Sequence, residues 1–228
     1  MSARTIVIIV PAFNEEKMIE SVIGSIPRFI LNIPIEVVVI DDGSTDNTYK
    51  KAFNSRAVCI RHHLNRGLGA AISTGFMYAR RTQAFAMVTF DGDGQHRSKD
   101  LEKLLRPIVE GTADVVIGSR LLIPSHMPLS RKIVNVLSNI LTFVFFGIWT
   151  TDSQSGLRAF SRDAINKIKL RTQRMEVSSE VFKEIHKHKF RTIEVSIPAI
   201  YTDYSLQKGQ KITNAYDVFW KLFLRVTR

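Results

Sequence analysis

Phe85-Ala86-Met87-Val88-Thr89-Phe90-Asp91-Gly92-Asp93-Gly94-Gln95-His96 is the stretch whose reading decides the fold. Its first half is a short apolar run with the composition of a buried strand. Its second half sets two carboxylates two residues apart at the exit of that strand. Two like charges so close are costly to bury unless a cation or hydrogen-bond donors compensate them. Gly92 and Gly94 let the backbone bend so that Asp91, Asp93 and the Gln95 amide converge. Hard oxygen ligands on a tight turn suit magnesium or manganese, which share their coordination with substrate phosphates. An isolated pair of this kind would read as a solvated acidic turn; the surrounding sequence favours the metal.

Upstream, Thr5–Val10 reads as an apolar strand closed by Pro11. Asn14 is placed to cap a helix reaching about Ile26, with Glu15 and Glu16 in its first turn. Ile35–Ile40 is a second buried strand, and it too ends in carboxylates, Asp41-Asp42-Gly43-Ser44. Ala57–Ile60 is a third strand, followed by a helix from about Gly67 to Arg81. Downstream of the acidic turn, Ser98 caps a helix to about Glu110 and Asp114–Ile117 is another strand. Alternating strands and helices predict an α/β fold with a mostly parallel, twisted sheet covered by helices on both faces. Ligands in such sheets sit beyond the carboxyl ends of the strands, where all three polar turns fall. The glycines of Gly67-Leu68-Gly69 lie beyond their strand and lack the dinucleotide-binding spacing. The small residues from Gly67 to Gly75 are read as letting the helix pack close to the sheet.

Composition bounds the function. The 228 residues carry a formal charge of +11, which implies an anionic partner, and 45% hydrophobic content supports a sizeable core. The single cysteine, Cys59, excludes an intrachain disulfide and fits a reducing compartment. The N-terminus has no signal-peptide layout, so a cytoplasmic protein is expected.

Six motifs occur in order: Val10-Pro11-Ala12-Phe13-Asn14-Glu15, Ile40-Asp41-Asp42-Gly43-Ser44-Thr45-Asp46, Asn65-Arg66-Gly67-Leu68-Gly69, Asp91-Gly92-Asp93-Gly94-Gln95-His96, Gly118-Ser119-Arg120 and Asp152-Ser153-Gln154-Ser155-Gly156-Leu157-Arg158. Together they resemble family 2 glycosyltransferases of the GT-A fold, and within them the polyprenyl-phosphate (dolichyl-phosphate-type) sugar transferases. The resemblance covers about residues 5–165. It implies that Pro11, Phe13, Glu15 and Asp41 hold the base and ribose of a UDP- or GDP-linked sugar, with Phe13 where the family commonly has tyrosine. A flat ring can stack on a base and a carboxylate can accept from a ring N–H. Asp42, Gly67 and Asp91 complete the nucleotide side, although Asp42 could equally be structural. Asp91, Asp93 and Gln95 would hold the metal, Mg or Mn, on the diphosphate. Arg120 and Arg131 would meet donor and acceptor phosphates, for which a planar, permanently charged fork is suited. Asp152 would be the general base toward a hydroxyl acceptor. With a phosphate acceptor, already an anionic nucleophile, it would orient groups instead.

Residues 133–151 carry no charge, yet Asn135, Ser138, Asn139 and Thr142 draw one polar stripe along an otherwise apolar helix. Because Asp152 must return to the active site, this helix is expected to lie in the membrane interface or pack on the domain rather than span. Residues 1–212 are read as the GT-A domain and 213–228 as an amphipathic helix, with Tyr216, Phe219, Trp220, Phe223 and Leu224 on one face. That face could touch a membrane surface or close the core. Lys208 and Lys211 flank Gly209 where the resembling group has an arginine before a glycine–serine–lysine element, and they are candidates for a lid over the diphosphate. The expected activity is an inverting, metal-dependent transfer from a nucleotide-sugar to a polyprenyl phosphate by a peripheral protein on the cytoplasmic membrane face. The alternative is transfer to a saccharide hydroxyl. A nucleotidyltransferase lacks support, since no glycine-rich basic loop follows the first strand. A nucleic-acid binder would leave the three carboxylate-bearing turns unexplained.

Overall fold

A computed structural model describes residues 4–122, 129–174 and 176–200. The strands are β1 (Ile6–Ala12), β2 (Phe29–Ile30), β3 (Ile33–Asp41), β4 (Val58–Arg61), β5 (Ala86–Thr89), β6 (Val115–Ser119), β7 (Arg158–Ser161) and β8 (Thr192–Ser196). The helices are α1 (Ile19–Ser25), α2 (Thr48–Phe53), α3 (Leu68–Arg81), α4 (Leu101–Val109), α5 (Leu129–Phe146), α6 (Arg162–Lys167) and α7 (Val177–His188).

β1 is central, parallel to β3 on one side and β5 on the other, and β4 runs parallel to β3. β1 and β5 are buried on both faces, as is the second half of β3, which is why they read as unbroken apolar runs. Ile6, Ile8 and Val10 face a core shared with α1 and α4; Val7 and Ile9 face the opposite core, shared with α3, α6 and α7. The expected α/β sheet with helices on both faces is therefore present. Two features go beyond the expectation: β2 folds back as a two-residue hairpin onto β3, and β7 enters antiparallel between β5 and β6. β8 then pairs parallel to β6.

Two local expectations change. Pro11 does not close β1 but lies within it, opposite Ile40. Pairing with β5 ends at Ile9–Thr89, and Pro11 shares the β5-facing parity of Ile9, so the donor it lacks is not required. Asn14 does not cap α1. Its backbone is left-handed (φ 54°) and its Oδ1 accepts from Thr45 N at 2.9 Å, so the helix starts only at Ile19. The close helix–sheet approach is found at Gly75, where a Cβ would stand 2.6 Å from Ile9 Cγ2. Gly67 (φ 93°) and Gly69 instead admit the chain at 172–174, whose Gln173 carbonyl accepts from Ala70 N.

Cys59 lies half-buried on β4. Burial and the nearby charge of Asp41, against the opposing Arg61, push its thiol up to about 11. Alkylation by iodoacetamide at pH 8 is therefore expected to be about a hundredfold slower than for a free cysteine, measured as the time course of mass shift. A rate equal to that of glutathione would refute the shift.

Candidate active site

The parallel register of β1, β3 and β5 brings their carboxyl ends to one edge, and hydrogen bonds lace the turns that follow. Asn14 N donates to Ser44 Oγ (2.9 Å), Glu15 N to Thr48 Oγ1 (2.7 Å) and Glu16 N to Asp46 Oδ2 (3.2 Å). The β1 turn abuts the acidic turn as well, because a Cβ on Gly92 would stand 3.0 Å from the Pro11 carbonyl oxygen. Pro11, Phe13, Glu15, Asp41, Asp42, Gly67, Asp91, Asp93 and Gln95 thus lie at or beside one edge of the sheet. The Phe13 ring is exposed, as a stacking surface must be, while Glu15 is buried.

The adjacent aspartates of β3 separate into two tasks. Asp42 accepts from His62 Nδ1 (2.7 Å), Arg66 N (3.0 Å) and Gly67 N (2.7 Å). It pins the Arg66–Gly67 turn from behind, the structural role left open by the sequence. Asp41 is fully buried; its Oδ1 accepts from Ser44 N, and its Oδ2 makes no hydrogen bond but lies 3.1 Å from Arg61 Nε. Arg61 is itself fixed over the Tyr49 ring and on the Ser44 carbonyl.

In the acidic turn each aspartate has a local partner. Asp91 accepts from His96 Nε2 at 2.8 Å, and Asp93 accepts from Gln95 N (3.0 Å) and Gln95 Nε2 (2.5 Å). Burial pushes the Asp91 carboxyl up, but the His96 hydrogen bond and the charges of His96, Arg120 and Arg158 outweigh it and hold it below the ordinary range. Asp93 moves the other way, raised by burial and by the negative charge of Asp91. That opposition marks an excess of negative charge that a divalent cation would relieve, and the Asp91 side chain is 34% open to solvent. The donor set of two carboxylates and an amide oxygen fits magnesium or manganese. Among the described residues no three His, Cys, Asp or Glu side chains gather, so the protein would supply only part of the coordination shell.

The opposite wall comes from β6, β7 and α5. Asp152 is fully buried and accepts from Arg120 N (3.0 Å), Arg120 Nε (2.7 Å), Arg120 Nη2 (2.9 Å) and Asn135 Nδ2 (3.0 Å). Burial raises its pKa, yet the Arg120 hydrogen bonds and charge win and leave it lowered. A carboxylate so engaged is a poor proton acceptor, and the geometry makes Asp152 the group that orients Arg120. The polar stripe of α5 faces inward: Asn139 donates to the Thr151 carbonyl (2.6 Å) and accepts from Ser153 N (2.8 Å). Arg131 stands in the first turn of α5, but its side chain lies outside the described residues, as do Lys208, Lys211 and residues 213–228.

Three contributors carried no role in the sequence reading. His96 was visible inside the acidic motif. Gly156 admits Asp91, since a Cβ there would stand 2.6 Å from Asp91 Oδ1 and closer still to Oδ2. Arg158, buried on β7, donates to the Ser153 carbonyl (2.7 Å) and lies 5.1 Å from the Phe182 ring centre. Burial pulls its pKa down to about 10 against the charges of Asp152 and Asp91, so it is a buried cation behind both carboxylates. Only the antiparallel insertion of β7 brings Gly156 and Arg158 there.

Residues 7–169 match the model of glycosyl transferase family 2. The chain is 36% identical over 246 residues to the UDP-N-acetylglucosamine–dolichyl-phosphate N-acetylglucosaminyltransferase of Methanococcus voltae, covering 98% of this chain and 97% of that protein. It is 31% identical over 177 residues to the polyprenol monophosphomannose synthase of Mycolicibacterium smegmatis, covering 71% and 65% of the two chains. Glucosyl-3-phosphoglycerate synthase of Mycobacterium tuberculosis, crystallised with Mg2+ and UDP, superposes with a TM-score of 0.74 at 20% identity, covering 98% of this chain and 80% of that one. That likeness establishes the GT-A fold. A match over most of the chain, on a sheet edge where the family's motifs meet, means that the protein belongs to glycosyl transferase family 2 and is a glycosyltransferase.

Proposed function

We propose that the protein transfers a sugar from a UDP-linked donor to a polyprenyl phosphate, acting as a peripheral protein on the cytoplasmic face of the membrane. The observation that carries the lipid acceptor is the orientation of α5. Its amide stripe is spent on Asp152, Thr151 and Ser153, so its apolar residues cannot turn inward. Ile133, Val136, Leu137, Ile140, Phe143 and Val144 are all exposed. A helix with its polar side on the domain and its hydrocarbon side outward suits contact with a bilayer surface, and the +11 charge suits anionic headgroups. Among the described residues no helix is long and apolar enough to cross a membrane.

The engagement of Asp152 supports the same acceptor. A hydroxyl would need a base, whereas a phosphate is already a nucleophile and needs cations to position it, as Arg120 and Arg131 would. On the donor side, Asp41 has Oδ1 committed to Ser44 N and Oδ2 against Arg61 Nε, and it would have to give up the Arg61 contact to accept from a base N–H. The UDP donor is supported by the M. voltae relative, which is named for a UDP-linked sugar. Phe13 would stack on the base, with Pro11, Glu15 and Gly67 around the nucleotide. Magnesium or manganese held by Asp91, Asp93 and Gln95 would neutralise charge on the diphosphate. Lys208 and Lys211 remain candidates for closing over it.

Incubation with labelled UDP- and GDP-sugars, magnesium or manganese and a short polyprenyl phosphate, followed by organic extraction, tests this reading. Label should enter the organic phase from a UDP-sugar only, and should vanish in Asp93→Ala. Val136→Asp with Val144→Asp should keep donor binding but lose at least about tenfold of lipid transfer on vesicles. Transfer to a saccharide with none to lipid would replace the polyprenyl phosphate by a hydroxyl acceptor.

A further inference from the structure

Between α7, the edge strand β8 and the segment after α5 lies a cavity of about 600 Å3. It is lined by Ile117, Ile148, Ile185 and Phe190, with His186 and Lys189 at the end of α7. None of these residues belongs to the nucleotide edge or to the Arg120–Asp152 wall. The volume is that of an ordinary small-ligand pocket.

Three observations identify its occupant. First, the cavity is lined by Trp149, a residue 67% exposed whose ring meets the Phe143 ring edge-on at 5.6 Å between centres. Phe143 belongs to the outward apolar face of α5, so the cavity is continuous with that surface. Second, its one carboxylate, Glu194, is already satisfied, accepting from Thr150 Oγ1 (2.5 Å), Thr151 N (2.8 Å) and Thr151 Oγ1 (2.9 Å). Third, among the described residues Lys189 has no acidic partner, whereas its neighbours Lys187 and His188 both face Glu184. An apolar floor, a cation without a counter-ion and continuity with the hydrocarbon-facing helix together match an anionic amphiphile.

We propose that this cavity holds one acidic lipid of the bilayer, its chain on Ile117, Ile148, Ile185 and Phe190 and its phosphate head at Lys189 with His186. The inference rests on the bilayer-facing reading of α5. It adds a lipid site separate from the acceptor's, one that anchors the end of α5 opposite to the end that carries Asn135.

Trp149 is a built-in reporter, because Trp220 is the only other tryptophan and Trp220→Phe leaves one signal. Full-length protein carrying that change is titrated with dihexanoyl phosphatidylglycerol below its micelle concentration, and with the matching phosphatidylcholine. Saturable change in Trp149 emission is expected with phosphatidylglycerol and about tenfold weaker affinity with phosphatidylcholine, since only the anionic head gains from Lys189. Thr192→Phe, which fills the cavity from β8, should abolish the response, and Lys189→Gln should weaken it about fivefold, both with unaltered circular dichroism. Equal response to the two lipids, or an unchanged response in Thr192→Phe, overturns the proposal. Failure of the α5 reading shows separately, as an unmodified chain that does not sediment with phosphatidylglycerol vesicles. Failure of the pocket shows as sedimentation without a Trp149 signal sensitive to Thr192→Phe.

Discussion

Asp152→Ala is expected to destabilise the folded protein by about 3 kcal/mol and to reduce sugar transfer at least ~100-fold, because it strands a guanidinium whose partner lies wholly inside the protein. Four donors converge on this carboxylate, three of them from Arg120. Without it Arg120 keeps its burial but loses both the geometry and the charge that fix its fork, and Asn135 loses its acceptor. Urea denaturation reads the first effect and the extraction assay the second. Asp152→Asn should fall between, retaining the shape and one acceptor oxygen while losing the charge. Because the folded pKa of Asp152 is lowered, its contribution is fully present above the unfolded carboxylate value. It is lost only as pH falls through the lower folded value, so the penalty should not vary from pH 6 to 8. A fully active, fully stable Asp152→Ala would remove the orienting role assigned here.

Gly156→Ala is the second large effect, and it acts without replacing any charged group. The new methyl would occupy the space of the Asp91 carboxylate, forcing Asp91 away from His96. On the proposed reading of Asp91 as a metal ligand, loss of the His96 hydrogen bond that orients it should cost about 10- to 100-fold in metal affinity. Magnesium or manganese titration of transfer should show that loss, while nucleotide affinity without metal stays within about twofold of the native protein. The strain in the segment ahead of β7 should cost about 1–3 kcal/mol of stability. Unchanged metal dependence would separate Asp91 from the metal.

The elements legible in the sequence were those whose burial is symmetric. β1, β3 and β5 are apolar on both faces, so their runs announce strands, and the carboxylates at their ends announce the cleft. What was illegible depends on partners far along the chain. Arg158-Ala159-Phe160-Ser161 carries no sign of strand direction, yet its reversal brings Gly156 and Arg158 to Asp91. Asn14 has the composition of a helix cap, but Ser44 and Thr45, thirty and thirty-one residues on, capture it first. The α5 stripe was visible as a period; that its amides would seat on the Asp152 segment follows only from the fold.

The reversed strand β7 also sets an order of assembly. β5 and β6 do not pair with each other; β7 lies between them, so among the described strands the β6–β8 pair is joined to the rest of the sheet through residues 158–161. During synthesis the strands from β1 to β5, with their nucleotide-side turns, can pair before residue 158 has left the ribosome. Asp91 then lacks the wall that carries Arg120 and Arg158 until β7 slots between the two halves. Bringing the turns after β1, β3 and β5 against the Arg120 side therefore depends on one long-range strand insertion, that of β7.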